Sequence, residues 1–208
     1  MLESNIHPHN ADCYIVLSGA FKTAVNESMK TENVKLIDNF FPYLFSQIEI
    51  QKHGYTIDKI DFPGITSTAL RSCFCSPNDE KMLEKTGWKG VIKPVEKECE
   101  IIFPLKHLFG FFNDYKEIMW KGGLTIIFRR ISNDNEAFYK FATGVALATN
   151  TIPPDSKIVI KTMEIRIPVV EYETNHATLL KSNIVKKPII PISFLNSQTI
   201  EKKILWKH

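Results

Sequence analysis

The sequence predicts an all-β protein, an antiparallel sandwich with short helices in its loops. Its apolar segments are short and rich in β-branched and aromatic residues, and turn signals separate them at regular spacing. They add up to about eight strands, which is typical of a sandwich and, more narrowly, of a jelly roll. With 208 residues, of which 44% are hydrophobic and 24% charged, the chain is long enough to bury one large core.

The first half of the chain contains a buried strand and a hairpin. Residues 13–21 (CYIVLSGAF) are short, apolar and end near Ser-Gly, as a buried strand does. Residues 47–51 alternate isoleucine with polar side chains, residues 52–54 (KHG) supply a turn, and residues 55–61 alternate again, imperfectly. His53 is therefore interpreted as an exposed turn residue rather than a ligand or a base.

Two helices are predicted inside a long excursion between strands, from Asp61 to Glu98. Excursions of this length usually carry functional or interaction surfaces. The helical segments and their candidate N-caps are residues 65–74 with Thr66 or Ser67, and residues 77–87 with Asn78 or Asp79.

The stretch from Ile101 to Trp120 is the densest apolar segment. Pro104 and Gly110 divide it into a strand and a compact turn, which predicts a core-filling corner between strands. His107 and Asp114 lie in this corner, and we interpret them as structural fasteners rather than as catalytic groups. The apolar members are Ile101, Ile102, Phe103, Leu105, Leu108, Phe109, Phe111 and Phe112.

The second half predicts further strands. Residues 122–131 form one strand, and Arg129 and Arg130 at its far end are interpreted as solvated, although paired arginines also suit a phosphate. Residues 157–170 give the longest strand signal, with a change of parity near Lys161 and Thr162 that predicts a bulge. Residues 34–45 should pack beneath the hairpin. A last helix is expected over residues 175–183, with His176 solvated, and extended segments over residues 188–195 and 199–208.

Charge and cysteine content narrow the function classes. Residues 1–104 carry 11 basic and 14 acidic side chains, a balance of −3, whereas the rest carries 15 and 9, a balance of +6. This basic C-terminal half suits either a solvated surface or contact with a polyanion. The four cysteines are irregularly spaced, which favours reduced thiols in a cytosolic or nuclear setting. Cys73 and Cys75 would join a metal site only if His53 or His107 converged on them.

Motifs for known chemistries are missing from the sequence. It contains no glycine-rich phosphate loop, no HExxH, no GxSxG and no zinc-finger spacing. We therefore assign no catalytic, cofactor-binding or metal-binding residue and expect no cofactor. No apolar run approaches the roughly 20 residues of a membrane helix, so membrane insertion is not expected.

Three strings resemble the double jelly-roll-like proteins of invertebrate genomes, relatives of the major capsid proteins of Polinton-like and adinto-type DNA viruses. Residues 41–68 resemble the segment in which an aromatic-rich strand leads into a hairpin and a Pro-Gly turn. Residues 101–115 resemble the family's most recognisable corner, and residues 153–171 the strand that closes its first jelly roll. Together they cover most of residues 13–175 in the family's order.

The resemblance implies a structural protein in which two eight-stranded jelly rolls form one chain and three chains form a capsomer of an icosahedral shell. This chain has about half the length that two such units need. We therefore expect a flexible arm over residues 1–12, the first jelly roll over residues 13–175, and a linker with the start of a second, truncated jelly roll over residues 176–208. Such a chain would be a fragment, a truncated product or a degraded genomic copy.

The expected partners are other copies of the chain, as a homotrimer and a capsid lattice. The expected location is the virion, or the host cytoplasm or nucleus for an endogenous copy of a viral-like element. Weak nucleic-acid contact through the basic half is a further expectation, and no enzymatic activity is expected. Two alternatives stay open: a jelly-roll module that binds carbohydrate or protein through the Asp61–Glu98 excursion, and a cupin-like metalloenzyme, which the scattered histidines do not favour.

Overall fold

A computed structural model describes residues 6–8, 12–22, 34–74, 76–85, 98–116, 123–140, 157–186 and 191–197. Ten strands and five helices form within these ranges. The strands are β1 (Ile6–Pro8), β2 (Tyr14–Lys22), β3 (Val34–Leu36), β4 (Phe45–Lys52), β5 (Tyr55–Asp61), β6 (Glu98–Pro104), β7 (Leu124–Arg130), β8 (Phe138–Lys140), β9 (Lys157–Arg166) and β10 (Val169–Glu171). The helices are α1 (Phe40–Tyr43), α2 (Pro63–Phe74), α3 (Pro77–Lys85), α4 (Gly110–Asp114) and α5 (Thr174–Lys186).

Two three-stranded antiparallel sheets form the sandwich, with strand orders β6-β2-β9 and β5-β4-β7. Two short antiparallel ladders, β1-β10 and β3-β8, accompany them. β2 pairs with both β6 and β9, so strands that are distant in sequence lie side by side. This architecture confirms the predicted all-β antiparallel sandwich with short helices.

The core lies between the two sheets and is rich in phenylalanine. Alternation along β6 buries Ile101 and Phe103 while Ile102 faces outward. The ring of Phe41 on α1 lies 4.9 Å from the ring of Phe103 and 5.3 Å from the ring of Phe45 on β4, so it bridges the sheets. The aromatic stretch before the hairpin therefore fills the core, as expected. Full burial of each such side chain contributes roughly 1.5–3 kcal/mol.

The hairpin and the bulge are where the sequence predicts them. His53 and Gly54 connect β4 to β5 with φ values of 51° and 81°, so both lie in the left-handed region that a two-residue hairpin turn needs. His53 is exposed. In the β2-β9 ladder the register shifts opposite Ser18 and Gly19, which leaves Lys161 as the extra residue of a bulge.

Helix boundaries differ from the predicted ones in a consistent way. Helices α2 and α3 begin at Pro63 and Pro77, before the capping residues proposed from the sequence. Proline suits the first helical position, since its fixed φ is already helical and its missing N–H has no partner there. The hydroxyl of Thr66 instead donates to the carbonyl of Phe62, inside the first turn. Helix α5 extends beyond the predicted range at both ends.

Part of the expected flexible arm is paired. Ile6–Pro8 form β1 and lie antiparallel to β10, with His7 opposite Val170. These three residues are therefore paired in a ladder, and the flexibility expected of residues 1–12 stays a prediction.

Near the C-terminal end of the chain, residues 191–197 form no regular strand. The predicted extended segment at residues 199–208 lies outside the described residues. Every helix that the structure describes is too short or too polar to cross a bilayer.

Candidate functional site

The corner between β6 and β7 is built from aromatic side chains. A 3₁₀ turn over Leu105–His107 follows β6 and leads into α4. Phe109 and Phe111 are fully buried, and the ring of Phe111 stacks on that of Tyr115 with centroids 5.7 Å apart. Aromatic pairs of this kind contribute about 0.5–1.5 kcal/mol beyond their buried area. The predicted core-filling corner is confirmed.

Residues 191–197, which we call the strap, lie on this corner. The ring of Phe194 packs edge-on against Phe111, with centroids 5.6 Å apart. The N–H of Leu195 donates to Oδ2 of Asp114 over 2.8 Å. A Cβ built on Gly110 would lie 1.5 Å from the carbonyl oxygen of Leu195, so only glycine fits there. Sequence reasoning missed this contact, for which the only signal is an aromatic residue inside a predicted extended segment.

Asp114 forms hydrogen bonds with two neighbouring segments of the chain. Its carboxylate accepts hydrogen bonds from the strap at Leu195 and from the side chain of Asn113, each over 2.8 Å. His107 is half-buried and lines the same cleft as Asp114. Through its hydrogen bond with the backbone N–H of Leu195, the carboxylate of Asp114 connects the corner to the strap.

A cleft of about 740 Å³ opens beside the corner and the strap. Arg71 of α2 brings a positive charge into its lining, and Lys106 and Lys116 bring two more from the corner. Asp12 lies 3.9 Å from the ammonium group of Lys106 and offsets part of this charge. The cleft is therefore a mildly positive depression with both apolar and polar lining residues, and the Asp61–Glu98 excursion helps to line it.

The two arginines at the end of β7 are exposed, as the solvated interpretation expects, and each also has an acidic partner. Arg129 lies 3.5 Å from a carboxylate oxygen of Glu49. Arg130 donates to the carbonyl of Leu44 over 3.0 Å and to the carbonyl of Ile158 over 2.9 Å. Its other partner is the carboxylate of Asp134, at 2.5 Å. These arginines connect strands and loops through their partners. The presence of two adjacent arginines is therefore explained without a bound phosphate.

Asp134 is the buried partner in this network. Its carboxylate accepts the backbone N–H of Ile158 over 2.7 Å in addition to the guanidinium of Arg130. Burial raises the pKa of Asp134, and these two donors oppose the rise. One oxygen thus ties the end of β7 to the start of β9.

Asp58 on β5 is a buried carboxyl group that sequence reasoning missed. It is 1% exposed, and neither of its oxygens has a hydrogen-bond partner within the described part of the chain. Burial raises the pKa of Asp58 to about 6, which the backbone N–H groups of Phe111 and Lys59 oppose without reaching hydrogen-bond geometry. The signal was the imperfect alternation along β5, because a register shift in the β4-β5 ladder leaves Ile57 unpaired and turns Asp58 inward.

Cysteine and histidine side chains do not converge where the structure describes them. Cys13 and Cys99 are buried thiols, and burial raises their pKa values to about 11 and about 12. Cys73 is exposed and Cys75 lies outside the described residues. No group of three or more His, Cys, Asp or Glu positioned for a metal ion occurs in the described ranges.

Apolar side chains remain exposed along one sheet of the sandwich. They lie on β6, on the second half of β9, in the connection to β10 and at the first residue of β10, and those on β6 and β9 lie on opposite faces of the sheet. Exposed apolar groups that lie close together commonly mark contact sites with other proteins. The residues are Ile102, Met163, Ile165, Ile167 and Val169.

Fold and site together define an antiparallel β-sandwich with an aromatic corner, structural ion pairs and an exposed apolar sheet. A model of the double jelly roll-like domain family matches residues 34–205. The chain belongs to the double jelly roll-like domain family. A search of the curated proteins found no match.

Proposed function

We propose that this chain is a structural protein of the capsid type, a viral or virus-derived subunit that forms trimeric capsomers of an icosahedral shell. Relatedness to the capsid proteins of Polinton-like and adinto-type viruses is part of the proposal. The observation that carries it is the match to the double jelly roll-like domain over residues 34–205. Proteins with this domain are typically structural, so we propose no enzymatic activity.

The proposal divides the chain into a first jelly roll over residues 13–175 and a linker with the start of a second over residues 176–208. The strap supports a linker that is packed on the first unit, because its Phe194 and Leu195 are attached to the corner. A neighbouring jelly roll would then be held at a defined angle.

The exposed apolar residues favour self-association. Val169 is 60% exposed and Ile165 is 39% exposed, on or beside strands that also supply the core. Apolar side chains of an edge strand are usually covered when subunits associate. We place the protein in the virion, or in host cytoplasm or nucleus for an endogenous copy, with weak nucleic-acid contact through its basic half.

Light scattering coupled to size-exclusion chromatography tests the capsomer proposal on the purified full chain. The expected mass is three times 23.9 kDa, with larger species at high protein concentration. A species that stays monomeric at every concentration, together with an absence of shells by electron microscopy, contradicts the proposal.

A ligand-binding module is the second candidate, and the cleft beside the corner favours it. Lys106 and Arg71 place positive charge in a depression large enough for a small sugar or a peptide side chain. A glycan array or a peptide pull-down should then find a ligand whose binding is lost in Lys106→Glu. Lys59→Glu, on the exposed hairpin and outside the cleft lining, is the matched control and should bind normally.

A further inference from the structure

Among the strands that the structure describes, the second half of β9 lies at the edge of its sheet and has an apolar face. β9 lies at one side of the β6-β2-β9 sheet and pairs, among the strands that the structure describes, with β2. Met163 lies opposite Leu17 and Ile165 lies opposite Ile15. Leu17 and Ile15 are fully buried, whereas Met163 is 37% exposed and Ile165 is 39% exposed. The face of the sheet that packs on the core therefore continues onto the second half of β9, where the core covers it only in part.

The two halves of β9 differ in how they are protected against edge pairing. The first half has a bulge at Lys161, whose ammonium group also forms an ion pair with Glu98 across the sheet. Bulges and lysines are the usual devices that prevent one edge strand from pairing with another. From Met163 to Arg166 the strand has neither, since its charged residues Glu164 and Arg166 alternate with apolar ones and lie on the outer face, and Ile167 follows directly after the strand.

We infer that β9 pairs edge to edge with β9 of a second copy of this chain, antiparallel about a two-fold axis that passes between the two copies of Ile165. In this register Met163 lies opposite Ile167 of the second copy, and Ile165 lies opposite itself. All six apolar side chains share one face of the joined sheet and cover one another. The two paired strands join the β6-β2-β9 sheets of both copies into one continuous sheet across the two-fold axis.

Charge complementarity supports the second copy as the occupant. In the same register Glu164 lies opposite Arg166 of the other chain, and the symmetry repeats this pair. Within one chain the two side chains are 3.5 Å apart and about three-fifths exposed, so both are available to a partner. Opposite charges placed directly across antiparallel strands stabilise the ladder, and like charges destabilise it.

Neighbouring registers fail on the same physical grounds. An axis between the two copies of Glu164 places Glu164 opposite Glu164. An axis between the two copies of Arg166 places Arg166 opposite Arg166, so like charges meet in both registers. An axis between two residues places apolar side chains of one strand beside charged side chains of the other, because side chains alternate between faces. Among the registers centred on Glu164, Ile165 or Arg166, only the one centred on Ile165 pairs opposite charges, and Pro168, which has no backbone N–H, limits extension of the ladder.

Charge reversal and mixing test this pairing on the full chain. Glu164→Arg and Arg166→Glu each place like charges across the axis twice, so each variant alone should raise the dimer dissociation constant about ten- to a hundredfold. An equimolar mixture of the two variants restores opposite charges at both positions and should form a heterodimer. The double variant Glu164→Arg/Arg166→Glu should dimerise like the wild type. Sedimentation velocity reports the masses, and unchanged circular dichroism shows that the variants fold.

The outcomes separate this pairing from the capsomer proposal, on which it does not depend. Loss of the two-fold contact in the single variants and its recovery on mixing support the pairing, whether or not trimers form. A wild-type chain without a two-fold contact, or a contact that both single variants retain, overturns it. If trimers form to the same extent in the wild type and in every charge-reversal variant, the pairing is overturned and the capsomer proposal stands.

Discussion

A guanidinium nitrogen of Arg130 lies 2.5 Å from a carboxylate oxygen of Asp134, and the same carboxylate accepts the backbone N–H of Ile158. Arg130 also reaches the carbonyls of Leu44 and Ile158. One side chain from β7 thereby connects the loop before β4 to the first residues of β9. Because Asp134 is buried, its charge depends on these donors for compensation.

Arg130→Ala is expected to destabilise the fold because it leaves the Asp134 carboxylate buried without its cation. We expect a loss of roughly 2–4 kcal/mol in the free energy of unfolding, less than for a fully buried pair since Arg130 is partly exposed. Urea denaturation measures it. Arg129→Ala, at the neighbouring and more exposed position, is the matched control and should cost much less. Equal losses of unfolding free energy in the two variants would show that the Arg130 network stabilises the fold no more than an exposed ion pair does.

Asp58→Asn is expected to stabilise the protein at neutral pH. The pKa of Asp58 is about 6 in the folded chain against an ordinary value of 3.8, so the folded state binds the extra proton between these values. Stability contributed by this group is therefore present at low pH and falls as the pH rises through about 4 to 6. The variant should gain about 1–3 kcal/mol near pH 7 and lose that advantage near pH 4.

Unfolding curves at the two pH values check the Asp58 prediction. Tyr55→Phe on the same strand changes an exposed residue and should show the pH dependence of the wild type. A gain from Asp58→Asn that is the same at both pH values would mean that the carboxyl group does not titrate as described.

Gly110→Ala should disturb the joint between the corner and the strap. The added methyl group would overlap the carbonyl of Leu195, so either the strap detaches or the corner shifts, at about 1–3 kcal/mol. Hydrogen exchange at the Leu195 amide should accelerate because its bond to Asp114 is lost. Gly123→Ala has open space around the new Cβ and should leave exchange unchanged. Unaltered protection in Gly110→Ala would contradict the docked position of the strap.

Phe41→Ala should be among the most destabilising substitutions in the chain. Its ring contacts aromatic rings of both sheets, so truncation removes buried area and leaves a cavity that rigid strands cannot close. The expected loss is about 3–5 kcal/mol. Tyr55→Ala, at a position that is 79% exposed, should change stability by less than about 0.5 kcal/mol. A small effect at Phe41 would show that the two sheets pack independently of this ring.

Local patterns predicted the longer strands but not the three-residue ones, because side-chain alternation and turn residues act over a few positions and need several residues to be recognised. The hairpin at His53 and Gly54 and the bulge at Lys161 are examples. Long-range pairings could not be read in the same way. The contact of Leu195 with Asp114 and the burial of Asp58 beneath Phe111 depend on how distant segments meet.

The arginine pair shows the same limit on predicting sites. Two adjacent arginines at a strand end have the same sequence pattern whether they face solvent, phosphate or a buried acid. The positions of Asp134 and of the Ile158 carbonyl decide among these environments, and neither follows from periodicity. The exposed face of β9 also emerged only from its register with β2.

The measurement that tests the capsid-type function most directly is electron microscopy of the purified full chain at high concentration, with native mass spectrometry of the same sample. The account predicts three-chain capsomers that assemble into closed shells or flat lattices of pseudo-hexagonal units. Monodisperse single chains, with neither capsomers nor lattices under any assembly condition, would contradict it.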